Sequence, residues 1–144
     1  MSNPLRTLED YELFLYTLSE RLNSIRHSTI TLVRRGATLA RVSGEIHFDD
    51  GYRLVVVERL AADRSPVLIT AYGYEVWRGN DKLFWYDCQP HPDEPALQTS
   101  HPHHKHVPPD IKHHRLPAPQ LSFVRPNLPQ MIAEVEVLIG GGSQ

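Results

Sequence analysis

From Leu8 to Ile25 the apolar residues recur every three or four positions, at Leu8, Tyr11, Leu15, Leu18, Leu22 and Ile25, with Phe14 beside them. Glu9, Asp10, Glu12, Glu20, Arg21 and Asn23 take the other faces. That period predicts an amphipathic helix over 8–26, about 18 residues long. Thr7 is its natural cap, with Asp10 three residues later as a weaker form of the capping box. Beyond residue 30 the period shortens to two. Segments 30–35 and 37–42 are strand-like around Gly36, and 45–48 leads into the turn Asp49-Asp50-Gly51. A Val-rich run follows over 52–60, then 66–77, then the turn Arg78-Gly79-Asn80-Asp81 and a last run over 82–86. The connections are too short for crossover helices, so the runs read as successive antiparallel hairpins. Segment 129–139 is apolar at Ile132, Val135 and Leu138 or Ile139 and reads as a second short helix, with its valines leaving a terminal strand as the alternative.

The expected fold is therefore α+β. An antiparallel β-meander of about five to six strands, over 30–86, lies under the N-terminal helix and is followed by a short C-terminal helix over 127–139. At 144 residues the chain suits one domain, 1–144. All of its twelve prolines except Pro4 and Pro66 lie at or beyond Pro90. This predicts an irregular Pro/His-rich loop region over 87–126, and the glycines of 140–144 predict a flexible tail.

A formal net charge of −2 excludes global electrostatic attraction to nucleic acid, so any RNA contact has to rest on local charge. No run approaches the roughly 20 apolar residues of a membrane span, and residues 1–10 lack the apolar centre of an export signal. The expectation is a cytoplasmic protein with no membrane contact. A single cysteine, Cys88, excludes an internal disulfide framework and any zinc site built from several thiolates.

Seven of the nine histidines fall between His91 and His114, four of them in His101-Pro102-His103-His104-Lys105-His106. Imidazole serves as base, acid or metal ligand near neutral pH, so this run is the candidate for chemistry. Metal-independent RNA cleavage needs a base for the 2′-hydroxyl, an acid for the leaving 5′-oxygen and a cation for the phosphorane. His103, His104 and His106 offer the first two and Lys105 the third. In an extended segment His104 and His106 share one side, with His103 and Lys105 on the other. A turn at Pro102 would undo that grouping, so all three imidazoles stay candidates. Glu58, ending a run of valines, or Asp87, at a strand exit, could orient an imidazole. Tyr72 and Tyr74 share a strand face and could position substrate, together with Asp87 and His91. A metal would need three or four converging ligands. His103 with His106, or His101 with His103, could supply two, and His91, Asp87 or Cys88 a third. The spacing matches no established zinc pattern, so no metal and no cofactor are expected. A surface role for the histidines, and packing roles for the tyrosines, are the structural alternatives.

Glu58, Tyr72-Gly73-Tyr74, Phe84-Trp85-Tyr86-Asp87, His91-Pro92 and Pro102-His103-His104-Lys105-His106, with a helix opened by Asn127-Leu128-Pro129, resemble the TumE family of bacterial toxin-antitoxin proteins. The resemblance spans roughly residues 30–139, and the Pro-His-His-Lys-His run is its most specific part. It implies a cytoplasmic toxin encoded beside a helix-turn-helix antitoxin, with nuclease-like growth inhibition as its activity. It puts Glu58, Tyr72, Tyr74, Asp87, His91, His103, His104, Lys105 and His106 on the motif positions. The chain departs from the pattern at Trp85 and Cys88, where relatives usually carry arginine and asparagine. The expected function is a toxin acting as a metal-independent ribonuclease, with RNA as substrate. The alternatives are a noncatalytic module that binds an antitoxin or other protein, and a metal-dependent nuclease. A homodimer through a sheet edge or helix face is compatible with a domain of this size.

Overall fold

The computed structural model describes residues 3–142. Thr7 Oγ1 accepts the Asp10 amide at 3.1 Å and starts helix α1 (Leu8–Tyr16). The helix is interrupted at Thr17, whose hydroxyl donates back to the Leu13 carbonyl at 2.7 Å, a side-chain bond that competes with the helical ladder. A single turn, α2 (Leu18–Arg21), follows, and the apolar stripe reaches Ile25 on non-helical chain.

Eight antiparallel strands form one sheet: β1 (His27–Ser28), β2 (Thr31–Arg35), β3 (Leu39–His47), β4 (Tyr52–Ala61), β5 (Leu68–Arg78), β6 (Asp81–Asp87), β7 (His104–His106) and β8 (Arg115–Pro117). Their order is β1-β3-β4-β5-β6-β7-β8, with β2 pairing beside β1 on the same edge of β3. The α+β class with helices over an antiparallel sheet holds, but the expected strand number of five to six is too low. Two of the additional strands, β7 and β8, lie inside the Pro/His-rich region, and β1 is a two-residue pairing. None of these three is long enough to display a period, and each exists only because it pairs with a distant segment. Conversely, the two runs expected over 37–42 and 45–48 form one strand. Gly44, at φ +140°, carries β3 through the point where residues 29–30 pass between β1 and β2.

On β4 the buried positions alternate as Tyr52, Leu54, Val56, Glu58 and Leu60. A register shift opposite Arg59 and Leu60 leaves Thr70 of β5 unpaired and moves burial from Ile69 to Tyr72, Tyr74 and Val76. This face packs against Leu5, Leu8, Tyr11, Leu15 and Leu18 from the N-terminal segment. It also meets α3 (Leu128–Gly142), where Leu128, Met131, Ile132 and Val135 recur at helical spacing and are buried. Both helical segments thus cover one face, and among the described residues no helix is long and apolar enough to cross a membrane. The other face carries Arg41, Arg59, Val57 and Glu75 in the middle of the sheet. Over β6 to β8, His91 and Ile111 from the connecting segments lie against His104 and Trp85.

Candidate functional site

The pairing Trp85↔His106↔Arg115 and Asp87↔His104 runs across β6, β7 and β8 and puts five side chains on the sheet face turned away from the helices. Because β7 is extended, His104 and His106 lie together, and His103 and Lys105 point to the opposite face. His104 Nε2 is 2.5 Å from Asp87 Oδ1 and 3.1 Å from His106 Nε2, and His106 Nε2 is 3.5 Å from Asp87 Oδ2. The Pro102 carbonyl can only accept, so His104 Nδ1–H donates to it at 3.0 Å and Nε2 is left to face Asp87 and His106. Both imidazoles are buried, at 1% and 2% exposure, and the Asp87 carboxylate is largely so.

The surroundings push these groups apart. Burial would raise the Asp87 carboxyl, but the hydrogen bond and charge of His104, with His106 behind it, hold it below the ordinary range. Burial alone would lower His104, and the Asp87 hydrogen bond and the Pro102 carbonyl overcome it, so His104 is raised. His106 is lowered by burial, which the attraction of Asp87 does not offset. Its ring stacks on Trp85, with centroids 3.8 Å apart and planes at 7°, and the Trp85 indole donates to the Ile111 carbonyl at 3.3 Å. His91 packs its ring edge-to-face with His104 at 4.7 Å and is lowered by burial and by nearby Arg115. Arg115 Nη1 donates to Glu94 Oε1 at 2.7 Å, and the same oxygen is 3.9 Å from His91 Nδ1. Arg115 Nε is buried with no hydrogen-bond partner among the described residues, so this cation retains unused donor capacity beside the imidazoles.

The other expected site residues are placed elsewhere. Tyr72 OH and His103 Nδ1 are 2.5 Å apart, their rings stack at 5.7 Å, and Phe123 lies 4.5 Å from the His103 ring. Burial raises the Tyr72 hydroxyl and lowers His103. Glu58 is fully buried and accepts from Tyr11 OH at 2.6 Å and from Tyr74 OH, which in turn accepts from Asn127 Nδ2 at 3.1 Å. Lys105 Nζ sits 4.0 Å from the Phe84 ring centroid and 3.6 Å from Glu134, whose carboxylate also accepts from Tyr86 OH at 2.7 Å. These groups lie on the helix-covered face. His113 and His114 are exposed and bond Asp110 and the Pro108 carbonyl.

The structure thus gathers Asp87, His104 and His106, with His91 at their edge. It adds Trp85, Glu94 and Arg115, which sequence reasoning did not single out as site residues. Arg115 is brought in by the β7–β8 pairing alone, and nothing in its local sequence announces that hairpin. One ligand atom from each of Asp87, His104 and His106 lies within 4.8 Å of the others, so this set could hold a divalent metal ion.

A protein-family model described as Toxin TumE matches residues 13–139, a span that contains every one of these residues. The chain belongs to the Toxin TumE family. The match begins inside α1, so Tyr11, the partner of Glu58, lies just outside it, whereas the whole β6–β7–β8 arrangement lies within. No curated protein and no solved structure matches the chain.

Proposed function

We propose that this TumE-family chain is a toxin that cleaves RNA, that the chemistry occurs at Asp87, His104 and His106, and that an antitoxin partners it. The observation that carries the reading is the convergence of one carboxylate and two imidazoles within hydrogen-bond range on a cross-strand row that also holds Arg115. RNA cleavage needs a proton removed from the 2′-hydroxyl, a proton delivered to the leaving 5′-oxygen and a cation beside the phosphorus. Arg115 supplies the cation, and its spare buried donor suits a phosphate oxygen.

The centre can run this reaction in two ways. Without metal, neutral His106 takes the 2′-hydroxyl proton as the 2′-oxygen–phosphorus bond forms. Cationic His104, held by Asp87, protonates the 5′-oxygen as its bond to phosphorus breaks. Two histidines pushed to opposite sides of their ordinary range suit these roles. The second form is a metal-dependent cleavage, favoured by the convergence of three ligand atoms. In both forms His91 lies edge-on against His104, and Glu94 holds Arg115 in place. Tyr72 with His103, Glu58 with Tyr74, and Lys105 with Glu134 act as supports that fix β5 and β7.

The test is cleavage of RNA by protein free of any purification tag, beside a folded His104→Gln/His106→Gln variant, each with and without EDTA. Cleavage by the native chain that disappears in the variant supports the reading, and the EDTA arm separates its two forms. Equal cleavage by both proteins, or none under any metal condition, sinks it and turns weight to the noncatalytic binding module.

A further inference from the structure

We propose that Asp87, His104 and His106 form a binding site for one divalent transition-metal ion of the zinc class, an inference that deepens the reading above by naming what its centre holds. Where the two rings aim points to an ion between them. Their Nε2 atoms are 3.1 Å apart and their centroids 4.9 Å apart. The centroid of an imidazole is about 1.15 Å from its nitrogen, so two rings sharing a straight hydrogen bond of that length would have centroids about 5.4 Å apart. The observed separation is shorter, so the lone-pair axes do not point at each other. If both rings also tilt to the same side by the same amount, the axes would meet about 2.0 Å beyond each nitrogen at about 100°, against a zinc–imidazole bond of about 2.0–2.1 Å and a near-tetrahedral angle.

The third ligand is in place. Asp87 Oδ1 is 2.5 Å from His104 Nε2 and its Oδ2 is 3.5 Å from His106 Nε2, so the carboxylate reaches both nitrogens, and an ion would replace the His104 hydrogen bond and open that contact to the roughly 3.3 Å between two ligands of a tetrahedral site. The tautomer is also set for ligation. His104 donates its Nδ1 proton to the Pro102 carbonyl, as metal-bound histidines commonly do, so the proton an ion would displace is the one that Nε2 shares with Asp87. Trp85 stacked on His106 and the edge of His91 on His104 fix both rings. Three protein ligands leave a fourth position for water or a phosphate oxygen, the arrangement of hydrolytic rather than purely structural zinc sites. The charge count agrees: one carboxylate and two neutral imidazoles leave a bound dication with a net positive charge, beside Arg115, itself paired with Glu94.

The probe is the metal alone. Chelator-stripped, tag-free protein is titrated with Co²⁺, read by its visible absorption, and with Zn²⁺, read by competition and by the rise in melting temperature. One ion per chain is expected. Asp87→Asn and His106→Gln should each weaken binding at least about tenfold, because each removes a ligand at a site of fixed geometry. His113→Gln/His114→Gln, which removes exposed histidines outside the centre, should bind as the native chain does. Circular dichroism screens the variants for folding, and Asp87→Asn keeps the test decisive if a histidine variant fails to fold. The inference is overturned if the native chain takes up no ion, or if the His113/His114 variant loses as much affinity as the ligand variants. Metal binding without RNA cleavage would leave this site standing and remove the nuclease reading. Cleavage by stripped protein that binds no ion would do the reverse.

Discussion

Glu58 sits at full burial in the middle of an apolar strand face, where an ionised carboxylate is costly unless hydrogen-bonded. Two tyrosine hydroxyls meet that need, one from α1 and one from β5, so the residue ties a helix to two strands. Burial nevertheless raises its pKa from the ordinary 4.5, against the opposing effect of the two hydroxyls. The stability it contributes is therefore complete below 4.5 and lost as pH rises through the folded-state value. Glu58→Gln removes that dependence. Relative to the native chain, the variant should gain stability between pH 4 and pH 7 in urea unfolding, and a relative loss over that interval would contradict the raised carboxyl. Tyr11→Phe leaves the carboxylate one donor short and should cost about 1–3 kcal/mol at pH 7. The sequence placed Glu58 where a partner was needed but named the wrong kind of neighbour, because Tyr11 is 47 residues away and no local pattern links them. For His104 and His106 the reverse holds. Their shared side follows from strand alternation once residues 104–106 are extended, and Asp87 joins them because it ends the strand to which they pair.

Gly44 shows what an element can hide. A Cβ there would stand 2.5 Å from the Thr29 carbonyl oxygen, and the residue holds a φ of +140° that side-chain-bearing residues rarely adopt. The close approach lets β1 and β2 share one edge of β3, with Thr29 N donating to the Glu45 carbonyl at 2.9 Å. Gly44→Ala should therefore destabilise the chain by about 1–3 kcal/mol from backbone strain alone, measured as a lowered urea midpoint with unchanged slope. A neutral result would mean that residues 29–30 do not pass that close. The long elements were legible from sequence for a plain reason. β4 alternates over all ten of its residues, β5 does so from Tyr72 to Val76, and α1 carries a clear stripe. β7 and β8 have three residues each among prolines, too few to show a period, and only the docking of each on its neighbour makes it a strand. The candidate site is built on those two strands, so its residues were visible in the sequence while its geometry was not.

At the scale of the molecule, the face opposite the helices runs from the buried centre on β6 and β7 to a group of exposed arginines on β2, β3 and β4. Arg35, Arg41 and Arg59 line a concavity there with Leu39 and Thr70, and none of the three forms an ion pair among the described residues. The row Val57↔Gly73↔Asp87↔His104 connects the two regions across three strand spacings, roughly 15 Å at about 4.8 Å each. Gly73 leaves open space where a side chain would stand, so the path between arginines and centre is low. With a net charge of −2, the chain offers no general attraction for RNA, and a strand aligned on this face would depend on these cations. Each phosphate contact with single-stranded RNA contributes about 0.7 to the slope of log affinity against log salt. Arg41→Gln/Arg59→Gln should therefore flatten that slope by about 1.4 and weaken binding at low salt, measured by anisotropy of a labelled 2′-O-methyl oligonucleotide that cannot be cleaved. Metal uptake by the same variant should be unchanged, because neither arginine is near the imidazoles in the strand register. An unaltered salt slope would show that RNA does not cross this face. The arginines would then be free for a protein partner, and RNA would have to reach the centre from the side of His91 and Glu94, in the β6–β7 connection.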